Sequence, residues 1–348
     1  LNKISQKEFE VAKSLTAAWT IGEAARITRI PRSTVKRIVE SIKQRGRIYF
    51  RVNYKILNLL PLAILAEPFK VGKMPQYTLS VRKLYGLKSL YLIVAVVPTA
   101  YFETYIEELE KTVKIIEIIR GYEYSVWNFE DGFYKYLPEE KRIVPDFGKL
   151  FDIIDALNWR VEKWPPDKRS PDKIDLAIIQ GRMEDAFMRP YRAVKKALKD
   201  DPSFPKVTVQ AISYHVRRHV KPAWIGNSVG YFHDPHEVPL RIYYFRGDSA
   251  KAAARALVKI PSFFNAFIEN DKALVVGQPP CNIQEAIYKV LQKFKAEMPY
   301  GELLVDSSVV YKKIPKYWTY IENGEWMWKA QLYELEESID TTPREFPP

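Results

Sequence analysis

The stretch PRSTVKRIVESIKQRG, residues 31–46, decides how the chain is read. Pro31 breaks what precedes it, and Ser33 is placed to cap a helix. Val35, Ile38, Val39 and Ile42 recur at helical spacing and form one apolar face. Thr34, Lys36, Arg37, Glu40 and Ser41 then point outward, with Lys43 and Arg45 near the end. Gly46 is expected to stop the helix, as a C-terminal glycine commonly does. A short helix with one apolar and one cationic face meets the needs of a DNA recognition helix. It buries one side and offers the other to base edges and phosphates.

Upstream, Phe9, Ala12, Leu15 and Thr16 share one face of a helix over 5–17, and Thr20 is an N-cap for a short helix to Ile27. Downstream, Arg47 to Ile56 alternates apolar and polar residues, as a two-stranded wing does. Residues 1–56 therefore read as a winged helix-turn-helix. Its expected DNA contacts are Arg32, Ser33, Thr34, Lys36, Arg37, Lys43, Arg45 and, on the wing, Arg47 and Arg51. Arginine can pair bidentately with guanine or grip phosphate.

Charge agrees with that placement. The chain of 348 residues carries a net +12. Residues 1–55 hold a net +9 and residues 171–225 a net +5, so the rest is slightly acidic. The second basic segment reads as a second helix-turn-helix, 173–238. Asp172 caps a first helix, 189–198 forms another, and Thr208 caps a third with Val209, Ile212 and Val216 inward. Gln210, Ser213, Tyr214, Arg217 and Arg218 face outward there and complete the expected DNA-contact set. A wing-like stretch, 224–237, follows.

Each basic unit precedes an α/β segment. Residues 239–318 run strand, helix, strand, strand, helix, strand, with a turn at Asn270-Asp271: a ferredoxin-like arrangement. Residues 88–163 run strand, helix to Glu110, strand 113–119, a hairpin at Gly121 with a return over 124–129, and a helix over 147–157, without an obvious final strand. Residues 57–87 are assigned as a connector, the Pro-rich 164–172 as a linker, and 319–348, with seven acidic and two basic residues, as an acidic tail. The fold class is thus α+β: two winged helix-turn-helix units and two ferredoxin-like domains, an internal duplication with a period of about 150 residues.

This order resembles the Lrp/AsnC family of bacterial and archaeal transcription regulators. The carriers are residues 31–46, the run from Pro98 through Ile119-Arg-Gly-Tyr-Glu-Tyr124, the opening helix from Lys173, and the α/β run 240–311. The resemblance implies duplex DNA as partner, dimerisation through the α/β domains and a possible small-molecule effector. Family members carry one module per chain, whereas two stand here. Pro202-Ser-Phe-Pro-Lys206 also lengthens the turn before the second recognition helix. Tandem winged helices serve replication origins and chromatin architecture too. Siroheme decarboxylases share the Lrp-like module, some as fused pairs, and Arg189-Pro-Tyr-Arg192 resembles a stretch of theirs.

Little else carries chemistry. No phosphate-binding glycine loop or nucleophile elbow is present. His215 and His219, spaced i, i+4, can share a helical face, and His233 and His236 lie near, but no further ligand motif is visible. Cys281, the single cysteine, excludes an internal disulfide. The expectation is therefore a DNA-binding regulator with no catalytic residue, cofactor or metal, and no enzymatic activity. It is expected to be a homodimer, cytoplasmic and nucleoid-associated, with no signal peptide or membrane span. The abundance of Ile, Tyr and charged residues with one cysteine fits a thermophilic archaeon.

Overall fold

Ser5 opens the first helix: its hydroxyl accepts from the Glu8 amide at 3.3 Å, and α1 spans Gln6–Leu15. The computed structural model that carries these contacts describes residues 3–164 and 171–338. Thr20 caps α2, Ile21–Thr28, in a reciprocal box with Glu23. α3 spans Arg32–Arg45, so Ser33 lies inside its first turn and is not its cap. Pro31 holds the N-cap position without a side-chain bond, because its ring offers no acceptor. Val35, Val39 and Ile42 are buried and Ile38 is half-buried, as the spacing requires.

The expected wing over 47–56 does not form. β1, Gly46–Val52, is a single strand, and its antiparallel partner is the strand Trp224–Tyr231 of the second half. Gly46 faces Tyr231 and Val52 faces Trp224. Gly46 is extended (φ −170°) rather than left-handed. The helix does end at Gly46, its C-cap, and a Cβ there would overlap the Gly230 carbonyl oxygen, so this glycine also serves the close approach of two strands.

The first half continues with β2 (Leu59–Ala66), β3 (Thr78–Tyr85), β4 (Leu90–Pro98), α4 (Phe102–Glu110), β5 (Ile115–Arg120), β6 (Glu123–Val126) and α5 (Phe147–Ile153). The second half has α6 (Lys173–Glu184), α7 (Pro190–Asp200), α8 (Val209–His215), β7 (Trp224–Tyr231) and β8 (Arg241–Arg246). It ends with α9 (Ala250–Val258), β9 (Phe263–Ile268), β10 (Lys272–Gly277), α10 (Gln284–Phe294) and β11 (Glu302–Lys312). The architecture is α+β around one large antiparallel sheet in the order β5-β2-β4-β3-β11-β8-β10-β9-β6. Within it β11-β8-β10-β9 carries the strand-helix-strand-strand-helix-strand connection read from 240–311, consistent with a ferredoxin-like arrangement.

The first half departs from its reading. Residues 57–87 are not a connector: they supply β2, between β4 and β5, and β3, which joins the two halves through β11. All of Leu59–Ala66 is buried, so β2 reads as an unbroken apolar run without alternation. Nor is there a hairpin at Gly121. β5 pairs with β2, whereas β6 crosses to β9 of the second half. Only Gly121 and Tyr122 separate β5 from β6, so the sheet bends until its two ends adjoin.

The bend creates an inner core from both halves. Ala63, Leu65, Leu92 and Val94 meet Ile242, Tyr244, Leu274 and Val276 there. Alternate residues face outward, toward α4 in the first half and toward α9 and α10 in the second. The region read as an acidic tail is also part of the fold up to residue 338: residues 332–334 and 336–338 pair as short strands with 73–75 and 310–312. Ile321 and Trp326 are buried, and the Trp326 indole donates to the Leu57 carbonyl at 3.0 Å. Residues 165–170 of the linker and 339–348 of the tail lie outside the described residues. Among the described residues no helix is long and apolar enough to cross a membrane.

Candidate functional site

Two faces of the molecule answer to the expected DNA contacts. On α3, Arg32, Ser33, Lys36 and Arg37 are exposed and Thr34 is half-buried. Among the described residues Arg32, Lys36 and Arg37 enter no ion pair. The apolar stripe beneath them packs on α1 and α2, so these three cations project from a fixed helix.

The other cations of this segment are otherwise engaged. Lys43 pairs with Glu40 at 3.4 Å and with Asp185 of the second half at 3.1 Å. Arg45 turns back to Glu8 at 2.6 Å and to the Lys3 carbonyl at 3.0 Å. Arg47 donates to the Met183 carbonyl at 3.0 Å and lies over the Tyr49 ring. Burial pushes the Arg51 guanidinium down, against the pull of Glu130 and Asp131. Arg47 and Arg51 were expected on an exposed wing. Their strand is instead half of an inter-half ribbon, which turns both side chains inward.

On the second half Gln210, Ser213, Tyr214, Arg217 and Arg218 are all exposed. Thr208 caps α8 through the Ala211 amide at 3.2 Å. Beyond His215 the helix loosens into a π turn, Val216–Val220. His215, half-buried at the end of α8, and His219, exposed on the π turn, meet Asp175 of α6, each at 2.9 Å, with Asp172 adjacent. Burial and then Asp172 push the Asp175 carboxyl above the ordinary aspartate range. The sequence reading missed Asp172 and Asp175 as partners of the histidines. The available signal was a pair of aspartates spaced i, i+3 at a helix start, which alone reads as a cap.

A cavity of about 470 Å³ opens where the halves meet. Leu57, Leu59, Leu176 and Ile179 form its apolar wall, and Arg47, Lys312, Lys313 and Lys316 bring cationic side chains to it beside the carboxylates of Glu184 and Glu336. Cys281 is exposed at the head of a short helical turn.

No family model matches the sequence, and no curated protein matches it. Among solved structures the chain is similar to the crystal structure of the siroheme decarboxylase NirDL, at a TM-score of 0.39 and 11% identity. The match covers 86% of this chain and 91% of that one. That neighbour is by its title an enzyme, so the expectation that catalysis is absent no longer stands.

Proposed function

We propose that the chain binds duplex DNA through two helix-turn-helix units, with α3 as the principal reading helix. The observation that carries this is the exposed row Arg32, Lys36 and Arg37, free of ion pairs among the described residues. Cations without internal partners are available to phosphate oxygens, and each phosphate neutralised releases condensed counterions. The ribbon supports a paired arrangement. β1 follows directly on α3, and β7 follows the third helix of the second half. Because the strands are antiparallel, these helices leave opposite ends of the ribbon, roughly 20 Å apart at about 3.3 Å per residue. Successive major grooves lie about 34 Å apart, which is the separation the two outward faces must reach to read both. Regulation of transcription, with a nucleoid location, is the function proposed for such binding. If the chain dimerises, surfaces other than the inner sheet faces must serve, because the two halves already cover those.

Lys36→Ala and Arg37→Ala test the reading by fluorescence anisotropy on duplex DNA at several salt concentrations. Each should weaken binding and flatten the log–log salt slope by about 0.9 per lost phosphate contact. If neither variant shifts the titration, α3 is not the reading helix.

The cavity favours a second reading. An apolar wall with Arg47, Lys312, Lys313 and Lys316 outnumbering Glu184 and Glu336 at its rim suits a large apolar molecule bearing carboxylates, such as a tetrapyrrole, and decarboxylation is the corresponding activity; Lys316 also pairs with Asp200. Titrating the protein with a carboxylated tetrapyrrole and recording its visible spectrum separates the readings. A shifted band lost on Lys316→Ala supports this one, and an unchanged spectrum removes it.

A further inference from the structure

Four metal-ligating side chains join α6 to the third helix of the second half. Asp172, Asp175, His215 and His219 each bring one ligand atom, and these atoms all lie within 4.8 Å of one another. Both imidazoles turn Nδ1 toward the same carboxylate: His215 lies 2.9 Å from Asp175 Oδ1, and His219 lies 2.9 Å from Asp175 Oδ2. Asp172 Oδ2 stands 3.4 Å from His215 Nδ1. Asp175 is 2% exposed, so water does little to neutralise it.

We propose that these four residues bind one divalent transition-metal ion, with zinc as the best match. Two imidazole nitrogens and two carboxylate oxygens suit zinc, cobalt or nickel, whereas magnesium and calcium take oxygen ligands. Tetrahedral zinc holds such ligands at about 2.0–2.2 Å, which sets them roughly 3.3–3.5 Å apart. The 3.4 Å contact already matches that spacing, the 2.9 Å contacts must open slightly, and the wider separations, up to 4.8 Å, must close for all four atoms to meet one ion. The protons on the two Nδ1 atoms move to Nε2 or leave to solvent as the ion replaces them.

The surroundings hold the ligands in place. Asp172 Oδ1 accepts from the Ile174 and Asp175 amides, both at 2.9 Å, which leaves Oδ2 for the cluster. The two imidazoles stand nearly perpendicular, and Tyr214 packs edge-on against both. The π turn that contains His219 is a feature concentrated at functional sites. The capping box makes the aspartates explicable without an ion, but it uses neither histidine.

The test uses the full chain, stripped of metal by a chelator and titrated with Co²⁺. One equivalent should give visible d–d absorption, and Zn²⁺ should bleach it. His219→Gln, at an exposed position, should keep its far-UV circular dichroism yet bind Co²⁺ at least about tenfold more weakly. His236→Gln, exposed elsewhere, should bind as the parent does. The absence of a visible band overturns the site. So does a band that survives His219→Gln unchanged, or one lost in His236→Gln instead.

Discussion

Arg182 takes a charge into the interior and is 2% exposed. Burial pushes its guanidinium down to about 10, so it stays charged near neutrality. It holds there because it donates to the Trp19 carbonyl at 2.8 Å and to the Met188 carbonyl at 3.3 Å while lying 4.1 Å from the Trp19 ring centroid. Trp19 belongs to the first half and Arg182 to α6 of the second, so one side chain clamps the two helix groups together. Arg182→Met keeps the volume but leaves both carbonyls without that donor. The unfolding free energy should fall by about 2–3 kcal/mol, read by urea titration as a lower midpoint at unchanged m-value. An unchanged midpoint means the clamp contributes nothing net, as replaced buried charges sometimes do. Nothing local in the sequence separated this arginine from the exposed ones. Arg37 and Arg182 both sit in helices with apolar neighbours, and what distinguishes them is a tryptophan more than a hundred residues away.

Elements were legible where their pairing is local. The strands β9 and β10 meet across a short turn, and their apolar runs are bounded by Asn270-Asp271, so their reading needed no distant partner. β1 shows the opposite case. Its alternation identified a strand, but its partner lies about 180 residues on, and a wing was the nearest local answer. β2 hid for a related reason: buried along its whole length, it shows no period of two, and Pro61 looks like a breaker. Pro61 is tolerated because β5 pairs only from Leu62 onward, and the Pro61 carbonyl still accepts from the Gly121 amide at 2.8 Å. The β1–β7 ribbon makes its own prediction. A methyl at Gly46 collides with the Gly230 backbone rather than with a flexible side chain, so a strand must shift. Gly46→Ala should cost about 1–3 kcal/mol, seen as a lower thermal midpoint. A midpoint equal to the parent's would mean that β7 does not approach β1 so closely.

At the scale of the molecule, the two halves of the chain build an interface with each other. The inner sheet faces meet, and ion pairs stitch the rim where the sheet ends adjoin. Arg120 reaches Glu269, Arg255 reaches Glu123, and Glu117 of β5 sits between Arg246 and Lys272 of the second half. Glu117 is 4% exposed. Burial pushes its carboxyl up, but the hydrogen bond and charge of Lys272, with the charge of Arg246, outweigh that and hold it below the ordinary 4.5. The sign of the linkage follows. A carboxyl with a lower pKa in the folded state binds fewer protons there than in the unfolded chain. Its stabilisation is therefore complete above pH 4.5 and drains away as pH falls through the folded value. Glu117→Gln keeps the shape and removes the charge. Near neutrality it should lower stability by about 1–2 kcal/mol, limited because Arg246 is half-exposed and rehydrates. Once the pH lies below that folded-state value the parent glutamate is itself protonated, so the two proteins should converge in denaturation midpoint. A gap between them that stays constant from neutrality into acid would mean that packing, not charge, ties Glu117 to the second half.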